Sequence, residues 1–144
     1  MKMGGRRASR VRAMQALFYM DMNRNISCEM FERYCANFDS PQEVSPFFSK
    51  LVKGVIATKP EIDVIIERFS SNWKMRRMSG VDRNIMRIAV YELLFCDDIP
   101  PKVSINEAID VGKKFGTKES GAFINGILDS IRIEQEKEDI CSKI

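Results

Sequence analysis

No histidine occurs anywhere in the 144 residues. That omission alone excludes Ser-His and Cys-His nucleophile pairs, the HExxH zinc motif and mixed Cys/His metal sites. The four cysteines, at positions 28, 35, 96 and 141, lack CxxC spacing, so a structural zinc has no ligand set. With no secretory signal ahead of them, free thiols fit a reducing cytosol, with Cys28 and Cys96 expected as small core residues. No run approaches the roughly 18 apolar residues that a membrane span requires. Proline and glycine are scarce, at five and eight. Strand-like alternation is also missing, whereas apolar residues recur at three- and four-residue spacing, so the expected class is all-α. Gly112, Gly116 and Gly121 form neither a P-loop nor a GxGxxG fingerprint and follow no strand. Asp97 and Asp98, in a proline-containing loop, read as surface turn residues rather than a carboxylate pair. The chain is thus expected to be no enzyme and to carry no cofactor, metal or small-molecule substrate.

Acid is also missing from the start of the chain, and here something positive stands in its place. Lys2, Arg6, Arg7, Arg10 and Arg12 precede the first acid, Asp21, although the whole chain carries only +3. A local cationic field of this kind usually meets phosphate. At 100° per residue Arg6 and Arg10 continue the line of Ala13, Leu17 and Met20. Two arginines cannot sit unpaired in a core, so the first turns are expected to overhang the body. The competing readings are a solvated, frayed end or an Arg-rich transit peptide. The smooth passage into a core helix speaks against the latter.

The 44 % hydrophobic composition supports one buried core. Helices are expected from about Gly5 to Met22 and from Ser27 to Phe38, followed by a turn at Asp39-Ser-Pro-Gln and a new start at Ser45-Pro46. Thr58 and Glu61 have capping-box spacing and predict a separate helix through Phe69. The basic connector Trp73-Lys-Met-Arg-Arg-Met and the Ser79-Gly80 break lead to a helix from Val81 to Cys96. After Pro100-Pro101, Ser104 and Glu107 predict another capping box, with Gly116 as a left-handed C-cap; a last helix starts near Lys118. The sum is about seven helices in two small packed subdomains, 1–78 and 79–133. An acidic stretch, 134–144, is expected to fray.

Glu92 falls on the core line of its helix with Ile85, Ala89 and Cys96. A buried carboxylate needs a partner, and hydrogen bonds from a helix start or a connecting loop around Ser104 are expected, rather than a catalytic role. Gly126 reads as a close helix crossing. Phe115 and Phe123 lie off the main apolar lines, near Lys113, Lys114 and Lys118. They either seal the last two helices together or stack nucleobases.

The segment from Arg83 to Ile131, with YEL, INEAI, FG and FINGILD in this order, resembles the C-terminal half of the NusB antitermination factors. Arg6 to Met22, with Ala13-Met-Gln-Ala-Leu17, resembles that family's Arg-rich first helix. The resemblance implies an all-α fold of two helical subdomains and a cytoplasmic, non-enzymatic role. It implies binding of boxA-type single-stranded RNA in ribosomal RNA leaders, together with the ribosomal protein NusE, within the RNA polymerase antitermination complex. It implies RNA contacts at Lys2, Arg6, Arg7, Arg10, Gln15, Phe115, Phe123 and Asn125. For NusE, Phe18 and Asp82 are the implied contacts. Ala8 and Ser9 interrupt the usual arginine run, and Glu119 adds an acid beside the implied RNA path.

Chemically, arginine forks suit phosphates, aromatic faces suit unstacked bases, and Gln15 and Asn125 can present paired donors and acceptors to a base edge. Three phosphate contacts through Arg6, Arg7 and Arg10 predict a log-log salt slope of about −2. Two other readings stand beside this one. The first is a helical protein-interaction adaptor whose basic end meets an acidic partner. The second is a detached NusB-like domain of an rRNA methyltransferase, for which no cofactor domain follows.

Overall fold

Three serines open three helices in the same way. Ser27 accepts from the Met30 amide, Ser45 from Phe48 and Ser79 from Asp82, each at 3.1 Å. Each bond satisfies an orphan amide, and such caps contribute about 1 kcal/mol apiece. The computed structural model describes residues 5–38, 45–71 and 73–142. Within them the elements are α1 (Gly5–Met22), α2 (Cys28–Phe38), α3 (Pro46–Phe69), a short 3-10 turn (Met75–Arg77), α4 (Gly80–Phe95), α5 (Pro101–Phe115) and α6 (Ser120–Ser142). All the regular structure described is helical. The turn expected at residues 39–42 lies outside the described residues.

Two expected helices are one, because the Thr58 hydroxyl donates back to the Gly54 carbonyl at 2.7 Å instead of capping a new start. α3 therefore runs 24 residues with Pro60 inside it. The Ser104–Glu107 box does not form either. α5 begins at Pro101, which fits a first-turn position, and Ser104 is buried one turn in. Gly116 closes α5 at φ −96°, in extended rather than left-handed backbone. What it needs is space, since a Cβ there would meet Ser120 Oγ and lie 2.8 Å from the Gly112 carbonyl. The acidic stretch continues α6 to Ser142, and Gln135 ties it to the body by donating to the Leu93 carbonyl at 2.8 Å. Of the two cysteines expected in the core, Cys96 is buried and Cys28 is exposed, because Cys28 and Glu29 lie on the solvent side of α2 while Phe31 takes the core side.

α4 is the centre of the fold and packs against α1, α3, α5 and α6. Asp82 through Val90 are all buried, so this helix has no solvent face over that stretch. Apolar residues of all six α-helices join around it in one cluster that includes Leu17, Phe31, Phe48, Ile66, Met86, Ile105 and Leu128. An all-round buried helix that carries Arg83, Asn84, Arg87 and Glu92 must bring its counter-charges in with it.

Candidate nucleic-acid interface

α1 lies along the body instead of overhanging it, which corrects the sequence expectation for Arg10. Arg10 is only 5 % exposed, and Glu92 on α4 is 1 % exposed. The two meet as a two-pronged pair, Arg10 Nε to Glu92 Oε2 at 2.9 Å and Nη2 to Oε1 at 2.8 Å. Arg10 Nη1 also reaches Glu107 Oε1 at 3.3 Å, and Ser104 donates to Glu92 Oε1 at 2.8 Å. The expected bond from Ser104 is thus present. The error lay in treating Arg10 as unpaired: it and Glu92 face each other across the α1–α4 contact, each supplying the charge that lets the other be buried.

Arg6 and Arg7, one turn earlier, are different. Their side chains are 53 % and 62 % exposed. Arg6 Nη2 donates to Asp98 Oδ2 at 3.1 Å and its guanidinium sits 5.0 Å from the centre of the Phe47 ring. Arg7 Nε donates to Glu107 Oε2 at 2.9 Å and Nη2 to Asp110 Oδ2 at 3.0 Å. Hydrogen bonding and charge from Glu107, and then from Asp110, raise the Arg7 pKa; the bond from Arg6 holds the Asp98 carboxyl below its ordinary value. These exposed contacts orient the two forks without using all ten of their N–H donors. Such surface pairs exchange readily with another anion. Lys113 and Lys114 are exposed one turn beyond Asp110 on α5. Lys2 lies outside the described residues.

Gln15 and Asn125 are both exposed, with side chains open to solvent. Phe115 and Phe123 are half-buried and pack against the core cluster, so neither is a free ring. Lys114 Nζ stands 5.4 Å from the Phe115 ring centre. Phe123 meets Trp73 edge-on, with centroids 6.0 Å apart at 69°. Trp73, 52 % exposed, is the aromatic that sequence reasoning placed in the basic connector without singling it out. Its signal was available: it is the chain's only tryptophan and is followed by three cations within five residues. Gly126, expected at a helix crossing, is instead exposed, and a Cβ there would touch nothing within 4 Å. α6 turns that flank outward, so helix packing does not require glycine.

Phe18 and Asp82 come to one corner, where α1 crosses the start of α4. A Cβ on Gly80 would lie 2.8 Å from both Phe18 Cε1 and Met22 Cε. Asp82 is buried there, and its Oδ1 has no hydrogen-bond partner among the described residues. Below this corner, a network that the sequence did not foretell fixes the far end of α1. Asp21 Oδ2 accepts from Arg83 Nε at 2.8 Å, Asn84 Nδ2 at 2.9 Å and Arg87 Nη1 at 3.0 Å. Arg87 also grips Asp63 of α3 with two bonds, at 2.9 and 3.1 Å. Burial alone would push the Asp21 pKa up, but hydrogen bonds from Arg83 and Asn84 and the charges of Arg87 and Arg83 outweigh it and hold the carboxyl below its ordinary value.

Comparison with known proteins places this arrangement. A profile described as "NusB family" matches residues 7–132. A protein of Desulfatibacillum aliphaticivorans named "Transcription antitermination protein NusB" is 55 % identical over 141 residues, covering 98 % of this chain and 99 % of that protein. A T. maritima NusB structure superposes with a TM-score of 0.78 at 36 % identity, over 96 % of this chain and 99 % of that one. A chain from a crystal structure of antitermination factors NusB and NusE in complex with dsRNA gives a TM-score of 0.75 at 26 % identity, over 90 % of this chain and 96 % of that one. Among the described residues, no helix is long and apolar enough to cross a membrane. Matched almost from end to end in both sequence and fold, the chain belongs to the NusB family.

Proposed function

We propose that this chain is a cytoplasmic, non-enzymatic RNA-binding transcription antitermination factor. It takes boxA-type single-stranded RNA from ribosomal RNA leaders together with NusE, and so supports processive ribosomal RNA transcription. The observation that carries the reading is the pair of exposed guanidinium forks, Arg6 and Arg7, oriented by Asp98, Glu107 and Asp110 in a chain that is NusB-like along its whole length. An RNA phosphate replaces an exposed carboxylate at each fork, and the helix that carries them needs no rearrangement. Arg10 acts as a positioning residue, since its donors are turned inward to Glu92 and Glu107. Gln15 and Asn125 are the exposed amides that can read base edges, and exposed Trp73 joins the half-buried Phe115 and Phe123 in offering aromatic surface for stacking. Lys2, which precedes α1 in the sequence, adds to the basic charge of the segment. Phe18, half-buried on α1, and the start of α4 at Asp82 form the NusE contact.

Two phosphate forks rather than three give a log-log salt slope of about −1.4, at roughly −0.7 per contact on a single strand. The test is a titration followed by the emission of Trp73, using boxA-like RNA, a scrambled RNA and a duplex, each with and without NusE. The expected result is preference for the boxA-like strand, strengthened by NusE, with the slope flattened by Arg6→Ala plus Arg7→Ala. Equal binding of all three RNAs, or a slope indifferent to the double variant, overturns the proposal.

A further inference from the structure

At the opposite end of α1 from Arg6, a second set of cations surrounds a cleft of about 500 Å³. Among the described residues, Arg24, Lys59, Arg76, Arg83 and Arg87 line it, against two acids, Asp21 and Asp63. Both acids are already engaged: Asp21 by Arg83 and Arg87, and Asp63 by Arg87 and by Lys59 at 3.0 Å. Arg24 and Arg76 have no ion pair or hydrogen bond to their side chains among the described residues, and both are exposed. Uncompensated guanidinium groups at a cleft whose acids are already paired are the condition for capturing an oxyanion.

The backbone at Arg24 adds a second observation. α1 ends in a Schellman turn, with Asn25 N donating to the Met20 carbonyl at 2.9 Å and Arg24 N to the Asp21 carbonyl at 3.0 Å. Arg24 is the left-handed residue of that turn, at φ 55°, a position that glycine fills without strain. An arginine kept there aims a long cation over the cleft at a conformational cost. Arg76 reaches the cleft from the connector, three residues after Trp73, whose ring meets Phe123. Lys74 and Arg77 are likewise exposed, and they too have no ion pair among the described residues. Aromatic rings interleaved with unpaired cations are the pattern of a single-strand nucleic-acid track rather than of an acidic-peptide socket.

We propose that Arg24 and Arg76 form a second phosphate-binding site, which holds the RNA backbone after it has crossed the Trp73–Phe123 edge. The inference rests on the RNA-binding reading above and extends its footprint. α1 spans 18 residues, about 27 Å, so its two ends grip different stretches of one strand.

The experiment compares a short boxA-like RNA with the same RNA lengthened by a uridine tract at its 5′ or 3′ end, using anisotropy across a salt series. The full chain and its Arg24→Gly plus Arg76→Gln variant are measured in parallel. Lengthening at one end steepens the wild-type log-log slope by about 1.4, for two added contacts, and the variant loses that increment while binding the short RNA unchanged. Arg24→Gly alone leaves the thermal midpoint unchanged or raised, since glycine accepts the turn. A wild-type chain that ignores the short RNA overturns the proposed function and this site with it. A chain that binds the short RNA but gains nothing from either extension overturns this site alone. So does a variant that keeps the increment but loses NusE, which would assign the cleft to a carboxylate of the protein partner.

Discussion

Replacing Arg10 by alanine separates the guanidinium that builds the protein from those proposed to grip RNA. The wild-type pair is almost dry, with side chains 6 % and 1 % exposed. Truncation leaves the Glu92 carboxylate with Ser104 as its one remaining donor and no counter-charge of its own. Breaking a buried pair in this way costs about 3–5 kcal/mol. With an unfolding entropy of about 2.1 cal/mol/K per residue, the midpoint of this domain falls by roughly 10–17 °C. Urea and thermal melts followed by helical circular dichroism measure the loss. The salt slope for boxA-like RNA, taken well below the new midpoint, should stay where it is in the wild type. A companion, Arg10→Met with Glu92→Met, removes both charges and keeps the volume; it should recover most of the lost stability. If Arg10→Ala costs less than about 1 kcal/mol and the slope shrinks by about 0.7, then Arg10 spends its time on phosphate and the inward geometry is wrong.

Two glycines should respond in opposite directions. Gly126→Ala meets open space and gains about 1 kcal/mol of helix propensity, visible as a midpoint raised by a few degrees; a lower midpoint would contradict the open surface. Gly54→Ala places a methyl group into the Tyr91 ring, 2.6 Å from its Oη, and should cost about 1–3 kcal/mol by forcing α3 from α4, against that same propensity gain. Equal midpoints for the two variants would remove the close-approach account of Gly54. Acid stability should report on Asp21, whose folded pKa is lowered. The unfolded chain takes up the proton first as pH falls, so the stability from this network is whole above the ordinary value of about 3.9 and drains away as pH drops toward the folded value. Asp21→Asn should be less stable at pH 7 and lose less between pH 4 and more acidic solution. Parallel pH curves for the two proteins would show that Asp21 is not the group responsible.

The helices were legible where a single residue carries a local instruction. Ser27, Ser45 and Ser79 announce their starts because capping depends only on the next three amides. Thr58 and Ser104 carry the same pattern and mean something else, because each hydroxyl had a competing acceptor that no local rule supplies: the Gly54 carbonyl in one case and Glu92 in the other. The site divides in the same way. Exposed cations at Arg6 and Arg7 follow from composition at one chain end, whereas the fate of Arg10 depends on a residue 82 positions away. Glu92 and Arg10 were each recognisable as anomalies on a core line, and only the crossing of α1 with α4 turns two anomalies into one pair. Trp73 and Arg24 were harder. Nothing in the sequence says that the connector folds back to Phe123, or that a left-handed turn is filled by arginine.

The two buried networks have a joint consequence for binding. Arg10 with Glu92 fixes the first third of α1, and Asp21 with Arg83, Asn84 and Arg87 fixes its last turn, so the helix is pinned at both ends to the same rigid partner, α4. A free amphipathic helix would have to be ordered by RNA, and that ordering would be subtracted from affinity. Here the ordering is completed on folding, by ion pairs within the protein itself. The cations left outside, Arg6 and Arg7 at one end and Arg24 at the other, therefore keep a fixed separation. A fixed separation lets a strand of a given length engage both ends at once, and makes the inward-facing arginines the reason the outward-facing ones can act together.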